Sequence, residues 1–219
     1  MRLFRKILYW INIIGMVAYL IVCGFYLMTG KSLYHGQVGL MAQVASGLLL
    51  VSIPLIVEKM AHIALPDILV ILYEIFILMA ILLGTGMQAY SIPNWDKFEH
   101  LFSAGMLAGI GFMIYAARTP ADKQNQIDPL LIALFGAAFG VMLGVCWEFY
   151  EFTGDSLFGM NMQRYMAAGK PLIGHPVLFD TMGDLLSDFV GSVGLSIYAF
   201  FKIRQNHQWL DTFKLRRIK

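Results

Sequence analysis

The sequence predicts an all-α protein, a polytopic membrane bundle of about six transmembrane helices that forms one domain over residues 1–219. Hydrophobic residues make up 58% of the chain and charged residues only 14%, whereas a soluble domain carries about 25% charged residues. The mean hydropathy is +0.67, and the charges cluster between long apolar stretches. Such a chain lacks the polar surface that a water-exposed body needs, so we expect it to lie in a lipid bilayer.

Uninterrupted apolar stretches define the expected spans. A helix rises about 1.5 Å per residue, so about 20 apolar residues cross a hydrocarbon core. The first stretch follows a basic N-terminus, as the core of a signal peptide does. It is too long for that role and no small-x-small cleavage site follows it, so we expect a retained helix. The stretches cover residues 7–28, 38–57, 66–90, 98–117, 129–152 and 177–201.

The distribution of Lys and Arg predicts the orientation, because cytoplasmic connections of membrane proteins are enriched in these residues. With the N-terminus inside, twelve of the 16 cations lie on the inner side and four on the outer side. We therefore expect a protein of the cell membrane with both termini in the cytoplasm. The inner group is Arg2, Arg5, Lys6, Lys59, Arg118, Lys123, Lys202, Arg204, Lys214, Arg216, Arg217 and Lys219, and the outer group is Lys31, Lys97, Arg164 and Lys170.

Several function classes are disfavoured by what the sequence contains. The basic tail from Lys202 interleaves Trp209 and Phe213 with its cations, which favours contact with anionic lipids over nucleic acid. Cys23 and Cys146 both lie in apolar stretches and form no CxxC pair, so no disulfide framework is expected. The chain carries no Walker loop, no GxGxxG motif after a strand, and no HExxH or GxSxG motif.

The longest connection, residues 153–176, is rich in Gly, Met and aromatic residues. This mixture predicts a short helix at the membrane interface, in a segment that is mobile and covers the polar residues described next. Glycines also recur at helical spacing within the spans, as at Gly140 and Gly144. Small residues four apart allow membrane helices to pack closely, which is the expected role of these glycines.

Acidic residues gather at one end of three expected spans, on the predicted outer side. Residues three or four apart share a face of a helix, and the acids of each span follow that spacing. At the start of the sixth span three aspartates follow one another at intervals of four residues, and this row runs inward from the end of the span. The residues are Asp96, Glu99 and His100 in the fourth span, Glu148 and Glu151 in the fifth, and Asp180, Asp184 and Asp188 in the sixth.

Two explanations for so many acids remain open. Like charges repel, and burial strengthens the repulsion, so either several acids are protonated or a cation lies among them. Carboxylates with one imidazole suit a divalent metal ion such as Mg²⁺, Mn²⁺, Ca²⁺ or Zn²⁺. Asp96 with Glu99 also has a simpler role as a cap of the fourth span. Asp188 and Glu74 could complete a polar path across the bilayer, or each could be a protonated hydrogen-bonding group.

Three sequence stretches carry a resemblance to known families. NWDKFEHLFSAGMLAGIG resembles the D-K-x-x-H-F motif of VanZ-like bacterial membrane proteins. Together with WEFYEF and FDTMGDLLSDFVGSVG, it is more similar to the YjdF-type family of multi-pass membrane proteins. The resemblance covers residues 94–194 and implies a polar site there. It marks six shared polar positions, which we take as candidate metal ligands: Asp96, His100, Glu148, Glu151, Asp180 and Asp184.

Three functions remain open from the sequence. The first is a metal-dependent hydrolase or transferase acting on a lipid or lipid-linked envelope substrate, with His100 and Glu151 as candidate catalytic acid and base. The VanZ resemblance, through its association with glycopeptide resistance, implies the cell envelope. The second is a cation or proton transporter that uses the intramembrane acids. The third is a non-catalytic protein that binds membrane or a partner.

Overall fold

The computed structural model describes residues 1–218, apart from the side chains of residues 121, 124 and 125. Lys219, counted above among the inner cations, lies outside the described residues. The described part contains six helices long and apolar enough to cross a membrane, so the predicted all-α polytopic bundle is confirmed. These spans are Arg2–Met28, Gln37–Ala61, Asp67–Gly86, Trp95–Arg118, Pro129–Phe158 and His175–Gln205.

Seven α-helices and four very short strands build the described chain. The helices are α1 (Arg2–Met28), α2 (Gln37–Leu50), α3 (Ile53–Ala61), α4 (Asp67–Ile77), α5 (Trp95–Arg118), α6 (Pro129–Phe158) and α7 (Phe179–Gln205). The strands are β1 (Ile63–Ala64), β2 (Met166–Ala167), β3 (Lys170–Pro171) and β4 (Arg216–Arg217). Both strand pairs, β1 with β4 and β2 with β3, are antiparallel.

The chain divides into two compact units. The first unit is Met1–Trp95 together with the C-terminal residues from Lys214, and the second is Asp96–Phe213. The single domain expected from the sequence stays a prediction, and each unit is described by itself below.

Two spans of the first unit depart from a straight α-helix. The second span is broken between α2 and α3, where Ser52 Oγ donates to the Leu48 carbonyl at 3.1 Å and Pro54 lies in the first turn of α3. A proline there cannot donate a backbone hydrogen bond, so the chain starts a new helix. The third span continues from α4 as a π-helix, Leu78–Gly86. This span therefore ends before the position 90 expected from hydropathy.

Polar contacts hold the first unit at two levels around an apolar core. Arg5 near the start of α1 pairs with Glu58 of α3 and with Asp67 at the start of α4. Deeper in the unit, the Asn12 side chain donates to the Glu74 carbonyl at 2.9 Å and to its carboxylate at 3.0 Å. The core between these helices includes Met16, Val44, Val51, Ile77 and Leu82.

Helices α6 and α7 of the second unit approach closely because glycines of α6 face polar side chains of α7. A methyl group at Gly140 would collide with the Ser192 hydroxyl and would lie 2.8 Å from the Ala104 carbonyl. A methyl group at Gly144 would collide with the carboxylate of Asp188. These two glycines serve close packing, as expected, and they also provide the space that the polar side chains of α7 occupy.

The connection between α6 and α7 differs from its prediction. The helix α6 itself continues to Phe158, residues 159–174 form a connection that contains the β2–β3 hairpin, and the short helical element in this region is the 3-10 helix His175–Leu178 directly before α7. Gly159, Gly169 and Gly174 take positive φ angles between 61° and 74° at its turns, a backbone conformation that glycine adopts without steric cost. We name residues 159–174 the hairpin connection.

Candidate functional site

Three helices of the second unit deliver buried polar side chains to one end of that unit. Asp96 and His100 come from the first turns of α5, Glu148 and Glu151 from the last turns of α6, and three aspartates from the first turns of α7. We name this set the acidic cluster. The aspartates of α7 are Asp180, Asp184 and Asp188, and each side chain of the cluster except Asp96 is more than nine-tenths buried.

Lys97 provides the acidic cluster with an internal cation. Its Nζ lies 2.8 Å from Asp184 Oδ1, 2.9 Å from Asp180 Oδ1 and 3.5 Å from Asp96 Oδ2. It also donates to the backbone carbonyl of Asp180 at 3.0 Å. One ammonium group therefore offsets part of the repulsion between the carboxylates of α5 and α7. The protons or divalent ion expected among the acids in addition to Lys97 stay a prediction.

His100 lies between two aspartates of α7. Its Nδ1 is 3.2 Å from Asp188 Oδ1, and its Nε2 is 3.7 Å from Asp184 Oδ1. The contact with Asp188 is a hydrogen bond whose direction depends on the tautomer of the ring; an ionised carboxylate would accept it from Nδ1. In the neutral ring the other nitrogen, Nε2, then keeps its lone pair and faces Asp184.

Asp96, His100 and Asp184 are close enough to one another to hold a metal ion together. One ligand atom from each residue lies within 4.8 Å of the other two. Two carboxylate oxygens with one imidazole nitrogen fit Zn²⁺ or Mn²⁺ and leave coordination positions for water or substrate. Asp184 is buried to 1% exposure, which makes it the least accessible member of the group.

Several buried carboxylate oxygens of the cluster have no hydrogen-bond partner within the described part of the chain. An unpaired carboxylate oxygen is costly to bury, so these atoms distinguish the cluster from an ion-pair network that is complete by itself. The atoms are Glu148 Oε1, Asp180 Oδ2, Asp184 Oδ2 and Asp188 Oδ2.

The other three predicted ligands are outside the three-residue group found among the described residues. Asp180 pairs with Lys97, Glu148 accepts a hydrogen bond from Gln163 Nε2 at 3.2 Å, and Glu151 accepts one from Trp147 Nε1 at 2.9 Å. All three lie at the same end of the second unit as the group. Their roles as ligands, and that of Glu151 as a catalytic residue, stay predictions.

Asp96 does not occupy the helix-cap position considered from the sequence. The helix α5 begins at Trp95, so Asp96 is already inside its first turn. Its carboxylate points to Lys97 and to Arg164, whose Nη2 is 3.3 Å away.

The last turn of α6 and the hairpin connection contribute residues that sequence reasoning missed. Asp155, buried in the last turn of α6, accepts backbone hydrogen bonds from Met162 at 2.7 Å and Gln163 at 3.0 Å. The side chain of Gln163 donates to Glu148 and, at 2.9 Å, to the hydroxyl of Thr181. The signal for Asp155 was present, because it continues the helical spacing of the acids of α6. The predicted span ended at 152, so this residue was assigned to a loop.

The polar row of α7 continues beyond the aspartates. Ser192 and Ser196 follow Asp188 at the same spacing and are also buried, and the Ser192 hydroxyl donates to the Ala104 carbonyl at 3.3 Å. Below them the row changes to Ala199 and Ile203, both 0% exposed. Glu74, a buried acid of the third span, belongs to the first unit and accepts a hydrogen bond from Asn12.

These features define a class of protein: a multi-pass membrane protein with a buried carboxylate, histidine and lysine cluster at the end of three helices. A family model described as "Predicted membrane protein (DUF2238)" matches residues 9–205, and the chain belongs to that family. The chain is also similar to an "Uncharacterized protein" of Thermotoga maritima, with 23% identity over 159 residues that cover 71% of this chain and 74% of the relative. No solved structure matches the chain. The YjdF-type and VanZ-like names stay predictions.

Proposed function

We propose that this protein is a divalent-cation-dependent hydrolase or transferase of the cell membrane that acts on a lipid or lipid-linked envelope substrate. The observation that carries the proposal is the placement of His100 between Asp188 and the pair Asp96 and Asp184. We propose Asp96, His100 and Asp184 as the cation ligands.

The contact between Asp188 and His100 supports the choice of ligands. Histidines that bind metals usually donate their other ring N–H to a carboxylate, which fixes the ring and makes the ligating nitrogen more basic. Here Nδ1 lies 3.2 Å from Asp188 Oδ1, and the proposed tautomer, with its proton on Nδ1, leaves Nε2 for the cation. Asp188 is therefore proposed as a positioning residue rather than a ligand.

The charge balance also favours an additional cation. The cluster contains six carboxyl groups, with Lys97 and Arg164 as the cations paired to them within the described residues. Two unit charges leave most of the negative charge uncompensated if the acids are ionised, and buried like charges raise one another's energy. A divalent ion reduces this repulsion, and among the carboxylate oxygens that lack partners it would engage Asp184 Oδ2.

The position of the cluster supports a lipid substrate. Its members lie toward one end of three candidate spans, and Asp96 and Asp180, which are nearest the helix ends, would lie close to the depth where lipid head groups meet the hydrocarbon core. A bound cation polarises a phosphoryl or carbonyl oxygen. Because His100 is assigned to the cation, Glu148 and Glu151 are the candidate acid and base, and the unpartnered Oε1 of Glu148 favours Glu148.

The proposed side of the membrane follows from the charge asymmetry. With six spans both termini would lie on one side, and the excess of Lys and Arg supports the cytoplasm as that side. Under this orientation the acidic cluster faces outward. An envelope precursor in the outer leaflet would then reach the cluster directly.

A second candidate function, cation transport, is favoured by the polar row of α7. Asp180, Asp184, Asp188, Ser192 and Ser196 extend over about 24 Å of helix at about 1.5 Å per residue. The row ends at Ala199 and Ile203, which offer no polar atom to a passing ion. An enzyme needs only the first part of the row, whereas a transporter must open the apolar end.

Metal analysis of purified protein tests the proposal. Wild-type protein and Asp184→Asn are incubated with Mn²⁺ or Zn²⁺, freed of excess ion and analysed by mass spectrometry. The control is Asp122→Asn, which makes the same change in charge at an exposed aspartate of the α5–α6 connection. We expect near-stoichiometric ion in wild type and control and loss of the ion in Asp184→Asn. Equal ion content in all three proteins would refute the assigned ligands.

Activity is tested separately in proteoliposomes. Wild-type protein is supplied with the cation and a panel of phosphorylated and acylated lipids, and products are measured by lipid mass spectrometry. We expect turnover of one lipid class that Asp184→Asn lacks. Ion flux into the vesicles without turnover of any lipid would favour the transporter instead.

A further inference from the structure

We infer that Arg164 is a built-in competitor of the divalent cation, so that the hairpin connection is closed over the acidic cluster without the ion and is released when the ion binds. This inference rests on the proposed cation site. It assigns a regulatory role to a segment that carries no proposed ligand.

The first step of the argument is the position of Arg164. Its Nη2 is 3.3 Å from Asp96 Oδ2 and its Nε is 3.7 Å from Asp180 Oδ1. The guanidinium group thus bridges the carboxylates of two helices, and one of them, Asp96, is a proposed ligand. Asp96 Oδ2 is also the atom that faces Lys97. A divalent ion bound to Asp96 therefore weakens the hold of Arg164 on that carboxylate.

The second step is the way in which the connection is fastened. Near the end of α6, the buried Asp155 carboxylate accepts hydrogen bonds from the backbone N–H groups of Met162 and Gln163. Next to Arg164, the Gln163 side chain links Glu148 to Thr181. The hydrogen bonds to Asp155 involve no proposed ligand, whereas the contact of Arg164 with Asp96 does. Ion binding is therefore expected to free Arg164 and the hairpin that follows it, while Met162 and Gln163 stay bound to Asp155.

The third step is the character of Arg164 itself. Its side chain is 45% exposed, and its backbone has a φ of 47°, which is unfavourable for a residue other than glycine. Half-exposed ion pairs contribute little to stability, so this pair can exchange readily. The closed position depends on the charge of the carboxylates, which the ion neutralises.

Limited proteolysis measures the release directly. Residues 153–178 contain two tryptic residues, Arg164 and Lys170, and trypsin does not cut before Pro171. Cleavage of the bond between Arg164 and Tyr165 therefore reports on the connection alone. Cleavage after Lys123, in the α5–α6 connection, is the internal control.

The full-length protein in detergent is digested with and without Mn²⁺, and Mn²⁺ affinity is measured in parallel by electron paramagnetic resonance. We expect Mn²⁺ to increase cleavage after Arg164 several-fold in wild type, with no change after Lys123. We expect no increase in Asp184→Asn, which lacks a ligand. Arg164→Gln should bind Mn²⁺ about two- to fivefold more tightly, the range for loss of a partly exposed ion pair.

The control for net charge is Lys170→Gln, in the same connection. It removes one positive charge from an exposed lysine, so it should leave Mn²⁺ affinity near the wild-type value. Tight Mn²⁺ binding with unchanged cleavage after Arg164 would overturn the inference and leave the cation site intact. Equal gains in affinity from Arg164→Gln and Lys170→Gln would also overturn it. Absence of Mn²⁺ binding by wild type would overturn both the site and the inference.

Discussion

Gly144→Ala tests whether Asp188 orients His100 for cation binding, without changing any polar residue. A methyl group at this position would collide with Asp188 Oδ2 and would lie 2.6 Å from its Cγ and 3.0 Å from its Cβ. The aspartate side chain is short and its carboxylate is enclosed, with 1% exposure, so it must rotate or the helices must separate. Overpacking of this kind costs about 1–3 kcal/mol.

The functional consequence follows from the hydrogen bond to the histidine. If Asp188 rotates, His100 Nδ1 loses its acceptor, now 3.2 Å away. Loss of a carboxylate that supports a metal-bound histidine weakens metal affinity by about 10- to 100-fold. We therefore expect Gly144→Ala to bind Mn²⁺ that much more weakly, as measured by titration with electron paramagnetic resonance.

A matched control is available on the neighbouring helix. A methyl group at Gly194 of α7 meets no atom of the described chain within 4 Å. Gly194→Ala should therefore keep the wild-type Mn²⁺ affinity and gain up to about 1 kcal/mol from helix propensity. Thermal unfolding in detergent compares the stabilities of the variants. Wild-type affinity in a folded Gly144→Ala protein would refute the proposed role of Asp188.

Three further predictions concern stability, transport and topology. Asn12→Leu should destabilise the protein by about 1–3 kcal/mol in thermal unfolding, because it leaves the buried Glu74 carboxyl group without the donor at 3.0 Å; an unchanged midpoint would show that Glu74 needs no partner. Ser196→Ala should leave stability within about 0.5 kcal/mol, because the buried hydroxyl has no partner among the described residues; loss of ion flux in vesicles made with this variant would favour the transporter. Reporter fusions at either terminus should report the cytoplasm, and an active alkaline phosphatase at the C-terminus would contradict the proposed orientation.

Hydropathy predicted the spans well because lipid imposes a simple rule on the backbone. Every spanning segment must satisfy its own hydrogen bonds, so a long apolar stretch becomes a helix. The exact ends depend on local chemistry that composition does not report. The break at Ser52 and the π-helix ending at Gly86 are examples. The sixth span starts and ends within a few residues of its prediction because acids and cations bound it on both sides.

The candidate site was only partly predictable, for a different reason. Helical spacing places Asp96 with His100, and Asp184 with Asp188, on shared faces, and those relations are local to one helix. Contacts between distant segments are not encoded by spacing, so the bridging roles of Lys97 and Arg164 could be considered only as nearby charges. The functional ligand set stays a prediction in the same sense. Geometry brings three of the six predicted residues within 4.8 Å of one another, and metal analysis has to decide between a bound ion and protonated acids.

The glycines of α6 offer a reason why the polar row of α7 need not be a transport path. Polar side chains between two membrane helices require space, and Gly140 and Gly144 provide it opposite Ser192 and Asp188. The Ser192 hydroxyl uses that space to donate to a backbone carbonyl of α5, which is a packing interaction. The upper part of the row therefore serves the cluster, and Ser192 fastens α7 to α5 below it. Close packing of this kind suits the proposed metal site, because a catalytic metal needs its ligands in fixed positions and an ion path does not.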